Sequence, residues 1–403
     1  MIVVGAGPAG AAVAARLHQH GVKDVVVLER YALPRDKPCG GGLTGHADEA
    51  LAALDLRLRV PHVPSKLARV RFGSFERAVA LARPVNVVRR EEFDADLVAQ
   101  VQERGVEVVT GEGVDALEVG HDGVTVRTDR GRELRARVVV GADGAASVVR
   151  KHLTGNAKAL PHRLFMRELP GTAPADAMLY DFTPMVQGVR GYLWIFPVTA
   201  GRINVGIMHY PADRRGGPEL LDALRGGLRE HRVDLPSRGN RGWPVWGYHP
   251  KSRVAAPRLL TVGDAAGIDG LTGEGIAVAM EQAIVAGDLV ARGLAGGDLG
   301  FAGYRRALRR ATVGRELALD RWLARLLYQR GRRWRDWMSL VLYDRDVLEM
   351  YAARVAGSEV LADQKLRLWC ALARHVWRLR GRRRLLGEAA PEAELVALPA
   401  PTG

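Results

Sequence analysis

Cysteine is nearly absent: Cys39 and Cys370 are the only two in 403 residues. That excludes a disulfide framework. No apolar run is long enough to span a bilayer. Met1 opens directly into an apolar stretch, so no signal peptide is expected and the protein is expected in the cytoplasm. Internal repeats are lacking. Acid is in short supply, with 45 Asp and Glu against 59 Lys and Arg, a net charge of +14. Such a balance suits nucleic acid or an anionic membrane, or it reflects an arginine-rich, solvated surface. No zinc-finger, RNA-recognition or helix-turn-helix signature accompanies it, so no nucleic-acid partner is expected. The excess is concentrated from Arg305 onward, in RRALRRATVGR and RGRRWRDW. At 47% hydrophobic and 26% charged, the composition is that of a globular enzyme able to bury a sizeable core.

What is present begins at once. Ile2, Val3 and Val4 lead into Gly5-Ala6-Gly7-Pro8-Ala9-Gly10, then a run of helix formers, a second apolar run from Val25 to Leu28, and Glu29. Strand, Gly-x-Gly-x-x-Gly turn, helix, strand and acid follow in the order a dinucleotide site requires. Gly5 allows the turn, Gly7 lets the backbone approach a pyrophosphate, and Gly10 lets the helix pack against the strand. The helix N-terminus offers free N–H groups to phosphate, and Glu29 can accept from a ribose. Two further pieces agree. The run VVVGADG is a buried strand ending in a turn with an acid. The run LLTVGDAAG puts Asp264 at a strand end, where it can hold ribityl or ribose hydroxyls, and Glu274-Gly275-Ile276 then opens a long helix. A helix start beside a flavin stabilises negative charge on the reduced ring. Together the pieces favour FAD over NAD.

A second Gly-x-Gly-x-x-Gly match, Gly40, Gly42 and Gly45, has no strand before it and is a decoy. Cys39 lies between Pro38 and three glycines. It is either a loop residue of no consequence or a group at the flavin or substrate. Strand-like runs with aromatics fill residues 151–258. In Tyr192-Leu193-Trp194-Ile195-Phe196-Pro197 the aromatics share one strand face. Phe196 reads as sheet core, whereas Tyr192 and Trp194 read as core or as the lining of an apolar tunnel. The fold class is therefore α/β: a Rossmann-like FAD-binding domain with an inserted antiparallel β-sheet substrate domain and a C-terminal helical region. The expected parts are 1–150 and 259–300 for FAD, 151–258 for substrate, 301–387 for the helices, and a disordered tail over 388–403.

The motifs Gly5–Gly10, Glu29, KPCGGGL, RREEFD, GADG, YLWIFP…NVG and VGDAAG…LTGEGI together resemble the geranylgeranyl reductase family of FAD-dependent oxidoreductases, within the p-hydroxybenzoate hydroxylase-like superfamily. The resemblance covers about residues 1–295. It implies reduction of isolated C=C bonds in an isoprenoid chain by hydride from the reduced flavin. It also implies FAD contacts at Gly10, Glu29, Cys39, Gly40, Gly42, Arg90, Val114, Asp264, Gly275 and Ile276. Arg90 is preferred to Arg89 because the family pattern is Arg-x-x-Phe-Asp. Cys39, Tyr192 and Trp194 become the catalytic candidates, Cys39 for proton delivery or for shaping the site. The family's Asp-Pro before Leu-Thr-Gly is here Asp269-Gly270, which is expected to loosen that backbone. No metal is implied. The electron donor is open between reduced ferredoxin and NAD(P)H, since no second nicotinamide fingerprint occurs. The competing readings are a flavin monooxygenase or halogenase, whose Trp-x-Trp-x-Ile-Pro run is similar to YLWIFP, and a non-catalytic electron-carrier flavoprotein. Leucines and tryptophans interleave with arginines over residues 321–328 and 330–337. These helices are expected either to dock peripherally on the inner face of the cell membrane, with Trp334 and Trp337 in the lipid, or to pack onto the FAD lobe.

Overall fold

The computed structural model describes residues 1–155, 161–173, 177–210, 217–239, 241–328 and 333–386. The expected tail over 388–403, and Arg330, lie outside the described residues.

The apolar runs that bracket the first glycine turn become the middle of a six-stranded sheet. Its order is Ala255–Ala256, Leu259–Thr261, Val139–Gly141, Ile2–Val4, Val26–Glu29, Glu107–Thr110. All neighbours are parallel except the first pair. Central parallel strands are buried on both faces, which is why these segments read as unbroken Val, Ile and Leu. The helix Pro8–Gln19 lies against the long helix Ile276–Gly296 over one face, their shared core made largely of alanine. Small side chains let the two axes approach closely. A three-stranded sheet, Val114–Val119, Val124–Thr128 and Glu133–Ala136, stands over the other face.

The second sheet has eight strands, in the order Arg241–Val245, His162–Pro170, Arg202–His209, Leu193–Val198, Ala177–Asp181, His62–Phe72, Phe75–Val88, Gly42–Leu43. It is antiparallel except where Ala177–Asp181 runs parallel to His62–Phe72. Residues 42–88 thus extend the substrate sheet, although they precede the second half of the nucleotide lobe in the chain. The strand Leu193–Val198 is covered on both sides. Leu193 and Ile195 meet the amphipathic helix Gly217–Glu230. Trp194 and Phe196 face the opposite way, into the interior between the sheet and the C-terminal helices.

Among the described residues five α-helices follow residue 300: Tyr304–Arg310, Thr312–Leu327, Arg333–Tyr343, Arg345–Val355 and Lys365–Leu386. Thr312–Leu327, Arg333–Tyr343 and Arg345–Val355 roof the aromatic face of the larger sheet. Trp334 packs edge-on to Phe72 at 6.0 Å between ring centres, and both Trp334 and Trp337 are half-buried against that core. Of the two expected placements, packing inward or reaching lipid, this pair packs partly against the larger sheet, not the FAD lobe. Among the described residues no helix is long and apolar enough to cross a membrane.

Candidate functional site

A cleft of about 600 Å³ runs between the glycine turn, the larger sheet and the start of the long helix. It gathers residues from one end of the nucleotide lobe to the other. Gly5, Gly7, Glu29, Cys39, Gly40, Gly42, Arg90 and Val114 line it, with Tyr192, Trp194, Asp264, Gly275 and Ile276. Gly10 does not. A side chain there would put its Cβ 1.9 Å from the Gly5 carbonyl oxygen, so Gly10 serves the close packing of helix on strand and touches the cleft only through that packing. Phe196, expected in the sheet core, joins the lining.

The polar end is built around two carboxylates. Glu29 accepts from the Ala6 amide at 2.8 Å and the Tyr31 amide at 3.1 Å, which fixes it at the end of its strand. Asp94 is fully buried and takes both arms of Arg90, at 2.7 and 2.8 Å. Arg35, unmarked in the sequence, bridges the two: it lies 3.3 Å from Glu29 and 3.2 Å from Asp94. Its guanidinium would stand 3.2 Å from a Cβ at Gly7, beside the N-terminus of the first helix. Burial alone would lower the Arg90 pKa, but Asp94 and Cys39 raise it above its ordinary value, so it stays charged.

On the other side of the cleft Gln282 accepts from the Gly263 amide at 2.8 Å and donates to the Gly267 carbonyl at 2.9 Å. Those bonds hold the turn that presents Asp264. Lys37 lies 3.4 Å from Asp264 and over the Trp243 ring, 4.2 Å from its centre. Burial lowers the Lys37 pKa, with Asp264 opposing. Asp143, the acid of the GADG turn, accepts from the Val148 amide at 2.7 Å through Oδ2, whereas its buried Oδ1 has no partner. An unpaired buried carboxylate oxygen is costly unless something else meets it.

These groups fit FAD. A cradle of bare backbone at Gly7 with a guanidinium beside it suits a pyrophosphate. Glu29, Asp264 and the free Asp143 oxygen suit hydroxyls of ribose and ribityl, and the helix start at Gly275 and Ile276 suits a ring that gains negative charge.

Cys39 stands where the polar end meets the aromatic wall. Its Sγ accepts from the Gly41 amide at 3.4 Å. Gly41 has φ +77 and meets the Val88 carbonyl, so only glycine fits this turn. Asn204 ties the loop to the sheet: it accepts from the Trp194 indole and donates to the Cys39 carbonyl, both at 2.8 Å. A Cβ at Gly40 would meet Phe196 at 3.0 Å and the Trp194 indole nitrogen at 3.5 Å. The Tyr192 hydroxyl donates to the Thr272 carbonyl, and burial pushes its pKa well above the usual phenol range. With their polar atoms hydrogen-bonded to protein, Tyr192 and Trp194 present ring surface to the cleft.

Beyond them the lining turns apolar. A second cavity of about 140 Å³ shares Met178, Tyr180, Tyr192 and Tyr351 with the cleft and extends under the helical roof, past Leu326 and Leu348. The roof is locked to the rim. Arg354, 2% exposed, donates to Glu316 and Asp320 at 2.6 Å each and lies 3.5 Å from Glu274. Glu274 also accepts from the Thr44 hydroxyl. The Asp269-Gly270 backbone is not loose. The buried Asp269 carboxylate accepts from the Leu271 amide at 2.6 Å and from the Thr272 amide and hydroxyl at 2.9 and 2.5 Å.

Residues 1–299 match the family described as FAD binding domain. A menaquinone reductase of Mycobacterium tuberculosis is 29% identical over 322 residues, covering 72% of this chain and 76% of that protein. A digeranylgeranylglycerophospholipid reductase of Methanopyrus kandleri is 27% identical over 331 residues, covering 76% and 80%. A solved geranylgeranyl bacteriochlorophyll reductase-like protein from Thermoplasma acidophilum superposes with TM-score 0.67 at 20% identity, covering 90% and 98%. A flavin-dependent brominase superposes with TM-score 0.68 at 18% identity, covering 95% and 98%, so the same fold also carries halogenation. The match over 299 of 403 residues and the donor set of the cleft agree: the chain belongs to the FAD binding domain family and is an FAD-dependent oxidoreductase.

Proposed function

We propose that the protein saturates C=C bonds of an isoprenoid chain, carried on a lipid or a quinone. The observation that carries this is the apolar cavity under the helical roof, joined to the flavin cleft across Tyr180 and Tyr192. Apolar cavities of about 150 Å³ stay dry and accept apolar guests. A prenyl chain gains about 0.8 kcal/mol for each CH₂ it buries there. The reductase names of curated relatives from Mycobacterium tuberculosis and Methanopyrus kandleri point the same way.

FAD, once reduced, supplies hydride. The chain's own residues do the rest. Arg35 and Arg90 would hold the phosphate charge of FAD, and Asp264 and Glu29 would hold its hydroxyls. Trp194 and Asn204 set the Cys39 loop, and the roof keeps water from the alkene. An isolated alkene is a poor electrophile, so alignment and dryness must lower much of the barrier. Cys39 is the proton donor in this reading, because its thiol lines the cleft where the polar end meets the aromatic wall.

Organic extraction of the purified holoprotein, followed by mass spectrometry, tests the assignment. Isoprenoid lipid should be recovered. Extracts holding only aromatic or straight-chain molecules would overturn it in favour of a monooxygenase or another acceptor.

A further inference from the structure

The helix Lys365–Leu386 is apolar on two opposite sides. Leu368, Ala371, Leu372 and His375 are buried and face the roof. Leu366, Trp369 and Trp377 point away and are 79%, 60% and 77% exposed, with exposed Cys370 and Ala373 between them in the same stripe. Trp322, 39% exposed on the helix Thr312–Leu327, packs at a tilt against Trp369, 5.6 Å between ring centres, and widens the stripe. These are the large exposed indoles of the described residues, and they meet on one face. A contiguous exposed aromatic patch marks an interaction site.

Charge identifies the partner. The helix carries eight Lys and Arg and no Asp or Glu. Its spacing places Arg367, Arg374 and Arg378 in a row along one flank of the indole stripe and Lys365 on the other. Neighbouring acids answer part of this charge: Arg374 pairs with Asp346 and Asp344, Arg378 with Asp344, and Arg367 with Glu359. Lys365 and three arginines stand against those three acids, and the sequence of the helix holds four more arginines and no acid. The same helices supply Leu323, Leu326 and Leu368 to the apolar cavity from their inner sides.

We infer that this face docks on an anionic lipid bilayer. Trp322, Leu366, Trp369 and Trp377 enter the acyl boundary, and the flanking arginines meet the phosphates. The cavity behind the helices is then held against the membrane, where an apolar substrate partitions. The binding partner is the lipid surface itself, so the inference stands apart from the isoprenoid reading, and vesicles free of isoprenoid separate the two.

The test floats full-length, FAD-loaded protein with phosphatidylglycerol–phosphatidylcholine vesicles and with pure phosphatidylcholine vesicles. The protein should rise with the anionic vesicles at low salt and much less at high salt or with neutral ones. Trp369→Ser plus Trp377→Ser should weaken partition by at least about tenfold while FAD absorbance stays unchanged. Quenching of wild-type indole emission by brominated phosphatidylglycerol vesicles needs no variant and should be plain. Absence of flotation at low salt, absence of quenching, or double-variant binding equal to wild type would each overturn the inference. So would a dimer in light scattering that the double variant dissolves, which would assign the face to a second copy.

Discussion

The two ends of the cleft are made by different means. At the cofactor end, charged groups hold one another: Asp94 fixes Arg90 and Arg35, Arg35 braces Glu29, and Lys37 faces Asp264. At the substrate end the Tyr192 hydroxyl is spent on Thr272 and the Trp194 indole on Asn204. A flavin dinucleotide carries fixed charges and hydroxyls at known spacing, so directional groups recognise it. A chain without polar atoms offers nothing to direct, so shape and dryness must recognise it.

That contrast can be broken at either end, and the largest effect belongs to the backbone beneath the cofactor end. Gly10→Val drives a side chain into the Gly5 carbonyl, so the purified variant should lack flavin absorbance altogether. Retention of FAD at normal affinity would remove the glycine turn from the account. Next is Arg354→Met, which leaves Glu316 and Asp320 buried without their cation. It should cost about 3–5 kcal/mol in denaturant unfolding, with the roof lost before the flavin lobe. An unfolding midpoint equal to wild type would show that the roof does not depend on this pair.

Cys39→Ser probes the junction of the two ends. It should keep FAD and lose about 10²-fold in C=C reduction, the usual range for a positioned proton donor. Full turnover by the serine variant would reduce Cys39 to a loop residue. Trp194→Phe is milder. It strands the Asn204 carbonyl and loosens the Cys39 loop, for about 1–3 kcal/mol in stability and a raised KM with FAD unaffected. Equal KM values would show the loop held by other means.

A pH dependence completes the set. Burial, then the neighbouring Glu274 carboxylate, raise the Glu281 pKa from 4.5 to about 8, with Arg354 opposing and Glu316 and Glu49 adding to the rise. His46 stands 3.8 Å away. The folded protein therefore holds this proton more tightly than the unfolded chain does. The resulting stabilisation is complete below the ordinary carboxylate range and is lost as pH rises through about 8. Thermal midpoints should fall across that interval, and Glu281→Gln should flatten the fall. A wild-type midpoint that is level with pH would contradict it.

The cofactor end was largely legible in sequence because its parts are local. Gly5 to Gly10 are consecutive, and Arg90 and Asp94 are one helical turn apart. Arg35 and Lys37 escaped notice there. They sit in a proline-rich loop, and what aims them is distant in sequence: Lys37 meets Asp264 across 227 positions. The substrate end was legible only as an aromatic strand. Its cavity is closed by residues from 68 to 368, a set no window can display. Arg354 carries no signal in sequence, because its partners Glu316 and Asp320 lie 38 and 34 positions away. The helix tryptophans could not be sorted in sequence for a related reason. Helices with apolar residues on two sides give no period that tells the inward Trp334 and Trp337 from the outward Trp369 and Trp377.

The central claim is that reduced flavin in this cleft hands hydride to an isoprenoid chain in the adjoining cavity. Its most direct test is a single turnover without oxygen. Holoprotein is reduced with dithionite, freed of excess reductant, and mixed with an unsaturated prenyl quinone or geranylgeranyl lipid under anaerobic conditions. Flavin absorbance should return to the oxidised spectrum, and the lipid should gain two hydrogens at each bond reduced. A flavin that stays reduced with every prenyl substrate, and reoxidises only when oxygen enters, would contradict the claim and make the protein an oxygen-activating enzyme on the same fold.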